Sequence, residues 1–322
     1  MGEKDILERS LCAYNDVFSD IVNNLLFNGR ELIYADKLEN AVVHSPYQGE
    51  KAFRELERDI AKHWLDNDIR ISLLGIENET IAEDDMPIRV IGYDGASYRD
   101  QISYEVDADG NRKKIVHKCP VVTLVLYFGY KNHWNMARSL HEALGEKLLP
   151  ELKPFVSDYK INVFEIAWLT NEQVKGFKSD FRYVADYFVQ MRSTGEYVGS
   201  AESIKHIREV LQLLGTLTGD NRFAATQEEK VLVGKEGGIN TMEAWLDVIE
   251  NRGIAQGEDR HLIDLICKKL RRGMDVEQIA DEVEEDIVRV QMICNIAEQF
   301  SPDYELEDVF TAVEKELSSV SA

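Results

Sequence analysis

The sequence predicts a mixed α/β body followed by a helical tail. Two apolar, β-branched runs at 119–128 and 160–169 have the length of buried strands. Apolar residues recur at helical spacing before and after them, and a capped series of short helices begins near residue 240. The 322 residues suit two domains, or one domain with an appendage, and 44% apolar content is enough for a sizeable core.

The elements follow in order. YNDVFSDIVNNLLFN at 14–28 places apolar residues at 14, 17, 18, 21, 22, 25 and 26, which is helical spacing, with Gly29 as the expected C-cap. KAFRELERDIAKHWL at 51–65 fits two structures. Positions 53, 56, 60 and 64 fit a helix, while DIAKHW also fits a strand that turns at LDND into IRISLLGIEN. TIAEDDMPIRVIGYDGASYRDQI reads as a loop and then a helix, weakened by Gly92 and Gly95. NHWNMARSLHEAL is expected to be helical, as is the chain from about 178 to 215, before a polar, glycine-containing stretch to about 240. Asn240 with Glu243 three residues on marks a helix start, and Gly253 its end. GIAQGEDR is then a small hinge, and three short helices close the reading: HLIDLICKKLRRG, MDVEQIADEVEED and IVRVQMICNIAEQF. The expected division is a body over 1–225, a connecting helix and hinge over 226–258, and a helical tail over 259–322.

Composition restricts the function. Cys12, Cys119, Cys267 and Cys294 are scattered without a C-x-x-C pair, which argues against a zinc ribbon or a disulfide framework and suits a reducing cytoplasm. MGEKDILERS has no apolar core of a signal peptide, and the run CPVVTLVLYFGY is too short to span a bilayer as a helix, so no membrane role is expected. The formal net charge of −22 repels nucleic acid unless the contact face is locally basic. NRKKIVHK at 111–118 and KKLRR at 268–272 are the basic strings that could touch a DNA backbone, or they are ordinary solvated clusters. The seven histidines show no metal spacing, and GKEGG at 234–238 lacks the spacing of a phosphate loop.

GIENET at 75–80 is the unusual stretch. Residues i and i+2 of a strand share a face, so Glu77 and Glu79 would point the same way and repel without water, a cation or a basic partner. If DIAKHW and IRISLLGIEN form a hairpin, Asp59 at the start of one strand lies near Glu77 at the end of the other. Two such carboxylates suit Mg²⁺ or Mn²⁺, a hard cation that polarises a phosphate and generates hydroxide. The plainer alternatives are a solvated Asp59 on an amphipathic helix and a Glu77 paired with a nearby Arg or Lys.

The segments NDVFSDIVNNLLFNG, ERDIAK, GIENET, MPIRVIGYDGASYRDQ, VVTLVLYFGYKNHW and FKSDFRYVADYF together resemble the Rpn family of recombination-promoting nucleases, also described as transposases. That family belongs to the PD-(D/E)XK nuclease superfamily, and the resemblance runs over about residues 10–255. It implies a mixed β-sheet core flanked by helices, αβββαβ in order, around a metal site. Carried over, Asp59 and Glu77 are the metal acids, Glu79 is a third ligand or base, and Gln101 helps orient the phosphate. Tyr98 sits on the same helix, and Asp20 would be an accessory acid. The implied function is a cytoplasmic, divalent-metal-dependent DNA endonuclease linked to recombination. One departure matters: the superfamily pattern ends in lysine, and this family usually has glutamine there. Glu79 stands in that place, and an ionised carboxylate only accepts hydrogen bonds. The alternative is therefore a nuclease-like protein that has lost cleavage and acts by binding DNA or partner proteins. GMDVEQIADEVEEDIVRV resembles a helix-turn-helix, but Glu284, Glu285 and Asp286 suit phosphate poorly, so the tail is expected to serve assembly, as a homo-oligomer contact, or regulation.

Overall fold

The computed structural model describes residues 11–41, 44–48, 53–57, 60–66, 69–106, 112–116, 118–224, 231–235 and 237–320. The chain divides into two compact units, Met1–Ala244 and Trp245–Ala322.

The first unit is mixed α/β. Helix α1 (Asn15–Phe27) leads into strands β1 (Leu38–Asn40), β2 (His44–Gln48), β3 (Phe53–Glu57), β4 (Ile60–Asp66) and β5 (Ile69–Glu79). Helix α2 (Met86–Asp100), strands β6 (Ile102–Val106), β7 (Arg112–Val116) and β8 (Val121–Tyr127), and a short helix α3 (Leu140–Leu144) follow. Strand β9 (Asn162–Glu165) and helices α4 (Asn171–Gly176), α5 (Phe181–Ser193) and α6 (Ile207–Thr218) come next. The main sheet has the order β1-β4-β5-β8-β9, while β2–β3 and β6–β7 form separate two-stranded sheets. β1 and β5 flank β4 antiparallel; β8 runs parallel to β5, and β9 parallel to β8. Of the two structures open for 51–65, the described residues adopt strands: Phe53–Glu57 pairs with β2, and Ile60–Asp66 lies between β1 and β5, which satisfy its backbone groups on both sides.

Alternation along the strands assigns each sheet face a helical layer. On one face Val125 and Tyr127 pack with Met86 and Val90 of α2 and with Trp134 and Ile161. On the other, Ile76, Leu124, Leu126 and Phe128 are fully buried, and the Phe128 ring meets Phe181 and Phe188 of α5. Lys62 of β4 reaches α1 on that second face.

Several elements differ from expectation for identifiable reasons. The C-cap of α1 is Asn28, at φ 53°, and Gly29 follows it at φ 80°. Asparagine tolerates the left-handed region, so the glycine was not needed as the cap. NHWNMARSLHEAL is helical only over Leu140–Leu144. Distant side chains capture its earlier backbone: Glu165 accepts from the Trp134 amide and Asp84 from the Ala137 amide. β9 ends at Glu165 and gives way to a 3₁₀ turn over Ile166–Trp168, where Arg192 donates to the Ala167 carbonyl. Helical structure between 178 and 215 is broken after Ser193, where Gly195 turns at φ 78°.

The expected hinge near 253–260 is also absent. Helix α7 (Met242–Leu270) runs straight through Gly253 and Gly257 and stops before Gly273, at φ 74°. Thr241, rather than Asn240, caps its start by accepting from the Ala244 amide. A helical glycine costs only about 1 kcal/mol, so it permits a stop without compelling one.

The second unit continues with α8 (Val276–Val283), α9 (Ile287–Ala297) and α10 (Leu306–Val320), the last beyond the three helices expected. Its core gathers Ile263, Ile266, Ile279, Val290, Ile293 and Val309. α8 and α9 are joined by Glu284, Glu285 and Asp286, and Asp286 caps α9 through the Val288 and Arg289 amides.

Candidate active site

The β4–β5 hairpin runs from Asp66↔Ile69 to Ile60↔Ile76. Asp59 lies outside the described residues. Glu77 follows the last described pair, and in the parallel register with β8 it stands opposite Val125, with Glu79 opposite Tyr127. Ile76 and Asn78 are buried toward the α1 and α5 side, so positions 77 and 79 belong to the face that carries α2.

Glu79 is mostly enclosed and forms an ion pair with Arg89, Oε1 to Nη1 at 2.9 Å. The same Nη1 lies 3.2 Å from Glu83. Arg89 is placed by α2, which starts with Pro87 in its first turn and lies on this face of the sheet. Of the water, cation or basic partner expected to make the two acids tolerable, a basic partner is present for Glu79.

The row Glu79–Tyr127–Glu165 crosses three parallel strands at their carboxyl ends. The Tyr127 hydroxyl donates to the Asn132 carbonyl at 3.1 Å and lies over Gly129, where an added Cβ would come within 2.0 Å of it. Glu165 accepts from Arg138 at 2.6 Å, from His133 Nδ1 at 2.7 Å and from the Trp134 amide at 3.0 Å. Burial raises the pKa of Glu165, but the bonds from Trp134, His133 and Arg138 outweigh it and hold the carboxyl below its ordinary value. His133 stacks on Trp168 with centroids 3.4 Å apart, and the Arg192 guanidinium lies 5.0 Å over the same ring. Just beyond Glu79 a cavity of about 390 Å³ is lined by Thr80, Tyr127, Tyr130, Lys131 and Asn135.

Gln101 is not part of this group. It is buried at the far end of α2, donating to the Cys119 carbonyl at 2.9 Å and accepting from the Cys119 amide at 2.8 Å. Cys119 precedes Val121, which pairs with Leu73, whereas Glu77 pairs with Val125. Four strand residues separate those rows by roughly 13 Å. The Gln101 amide is spent on fixing the start of β8, which corrects its expected phosphate role. Tyr98 does similar work, its hydroxyl accepting from the Val121 amide. Asp20 also has a structural post: its carboxylate accepts from the Lys178 and Ser179 amides and from Asn24, tying α1 to the chain just before α5.

Of the basic strings, KKLRR is committed within the tail: Lys268 pairs with Asp264, Lys269 with Glu282, and Arg271 donates to the Asp303 and Tyr304 carbonyls. Arg112, Lys113 and Lys114 of β7 are exposed. Arg89, His133, Arg138 and Glu165 went unmarked in the sequence. Their pairings join segments 10 to 32 residues apart, which no local spacing reveals. Among the described residues no group of three or more His, Cys, Asp or Glu is placed to hold a metal ion, and no helix is long and apolar enough to cross a membrane.

Comparisons with protein-family models, with curated proteins and with solved structures gave no match.

Proposed function

We propose that the first unit is a divalent-metal-dependent DNA endonuclease of the PD-(D/E)XK type, akin to recombination-promoting nucleases. One observation carries the reading. Two acids end β5, a central strand that is antiparallel to β4 before it and parallel to β8 after it, with α2 between β5 and β8. Counted over the main sheet alone, with the β2–β3 and β6–β7 pairs as insertions, α1, β1, β4, β5, α2 and β8 follow in an order compatible with the αβββαβ core that the resemblance implies, which supports the reading. Sites in sheets with parallel strands lie beyond the carboxyl ends of those strands, and the cavity beside Thr80 lies there.

The donor chemistry fits Mg²⁺ or Mn²⁺ in part. Glu77 offers the oxygen ligand that hard cations take, with Asp59 its expected companion. Glu79 is already paired with Arg89, which disfavours it as a principal ligand. When bound, such a cation supplies charge stabilisation and a more acidic water. The chain's own residues hold and orient the DNA: Lys131 lines the cavity, and Arg112, Lys113 and Lys114 present positive charge to the backbone.

The test is nicking of supercoiled plasmid at low salt with Mg²⁺ or Mn²⁺. Wild type is expected to nick, Glu77→Ala to lose nicking, and EDTA to stop the wild-type reaction. Intact plasmid with wild-type protein under both metals refutes the nuclease reading. Duplex binding without nicking would favour the second reading, a DNA-binding relative without cleavage, which the carboxylate at position 79 supports.

A further inference from the structure

The residue at position 79 carries the wrong chemistry for a phosphate-facing donor, yet its side chain holds the right chemistry in place. We propose that Arg89, aimed by Glu79, is the group that faces the scissile phosphate, an assignment that rests on the nuclease reading. Glu79 is the inner partner of the pair, with 15% of its side chain exposed, and Arg89 the outer, with 32%. An approaching phosphate meets the guanidinium first. Arg89 also touches Glu83, but that carboxylate is half exposed and 3.2 Å away, the kind of surface pair that contributes little and that a phosphate can displace. The shorter contact to Glu79 is the anchor.

The chemistry favours the exchange. A guanidinium stays charged at any working pH, and its planar fork matches the oxygens of a phosphate. Held by Glu79, it places a donor beside the strand position where a lysine or glutamine would have supplied one. The donor then comes from α2 instead of β5, and the carboxylate becomes a positioning group.

The experiment uses the full chain with two readouts. The first is binding of a short fluorescent duplex in EDTA across a salt series, which needs no metal. The second is plasmid nicking with Mn²⁺. Arg89→Ala is expected to reduce the salt slope of binding by about one and to lower nicking by about 100-fold. Arg89→Gln keeps the stem and a donor to Glu79, and it is expected to show the same losses should the alanine variant fail to fold. Glu79→Ala leaves the arginine charge but releases its hold and brings no donor of its own, so the salt slope stays at the wild-type value while nicking falls. Adding Glu79→Lys to Arg89→Ala returns a donor to the strand and should recover nicking by at least about tenfold, which a purely structural arginine would not allow. Wild-type slope and wild-type nicking in both Arg89 variants, beside a Glu77→Ala that no longer nicks, overturn the role of Arg89 and leave the nuclease reading standing. A wild-type protein that neither binds duplex nor nicks plasmid removes both.

Discussion

Lys62 carries an ammonium into the interior of the first unit. It is 1% exposed, and its Nζ donates to the Asn15 and Asn40 side-chain oxygens, each at 2.7 Å, with the Phe18 ring 5.6 Å away. Burial lowers its pKa from 10.5. A lysine whose folded pKa is depressed contributes stability above its unfolded value and loses it as pH falls through the folded value. The wild-type protein should therefore gain stability relative to Lys62→Met as pH rises toward the ordinary lysine value, in urea melts of both. At neutral pH, Lys62→Ala should cost about 2–4 kcal/mol, because the buried stem leaves a cavity and the Asn15 and Asn40 oxygens lose their donor. The sequence shows the lysine but not its burial, since AKHW in a strand hides which side faces α1. Glu77 and Glu79 were easier to read, because strand alternation acts over two residues. Gln101 differs: its phosphate role was implied by the resemblance, from its place on the helix after the core, and only the fold reveals that its amide is paired with backbone.

At the scale of elements, glycine was the least reliable guide. Gly253 and Gly257 suggested a stop and a hinge, yet both lie inside α7, and a Cβ at either would meet nothing within 4 Å. Replacing each with alanine should raise the helix stability by about 0.5–1 kcal/mol, read as a higher denaturant midpoint for the full chain. A drop in the midpoint would show that the segment bends in solution. The buried strand β8 was legible, because a hydrophobic, β-branched run specifies it locally, whereas the β4–β5 hairpin was only one of two structures that 51–65 fits. The stretch 132–139 was not legible, because its hydrogen bonds go to Tyr127, Asp84 and Glu165, and no pattern within the stretch announces those partners.

The molecule as a whole carries a formal charge of −22, so any hold on DNA has to come from a few local cations. Arg89, Lys131 and the three cations of β7 would give about five phosphate contacts. Such a number loses roughly 10²–10³ in affinity between about 50 and about 200 mM salt. Binding and nicking should fade together over that interval, and Lys113→Glu with Lys114→Glu should weaken binding without regard to DNA sequence. Affinity that persists at high salt would place recognition elsewhere. The mixed α/β character was visible in periodicity, which acts along the whole chain. The boundary between the two units was not: it falls at Ala244 and Trp245, inside one continuous helix, where composition does not change.

The clamp between Gln101 and Cys119 also bears on how the sequence is free to drift. Both bonds end on the backbone of Cys119, so the arrangement is indifferent to which side chain stands at 119 provided it fits its buried site. The amide of Gln101 has no such latitude. Glutamate there would present a second acceptor to a carbonyl, and leucine would abandon a buried donor and a buried acceptor at once. The two positions meet at the same bonds yet carry unequal information. A saturation library should leave position 119 open to small side chains such as alanine and serine and position 101 nearly closed, with the start of β8 inherited through a single codon.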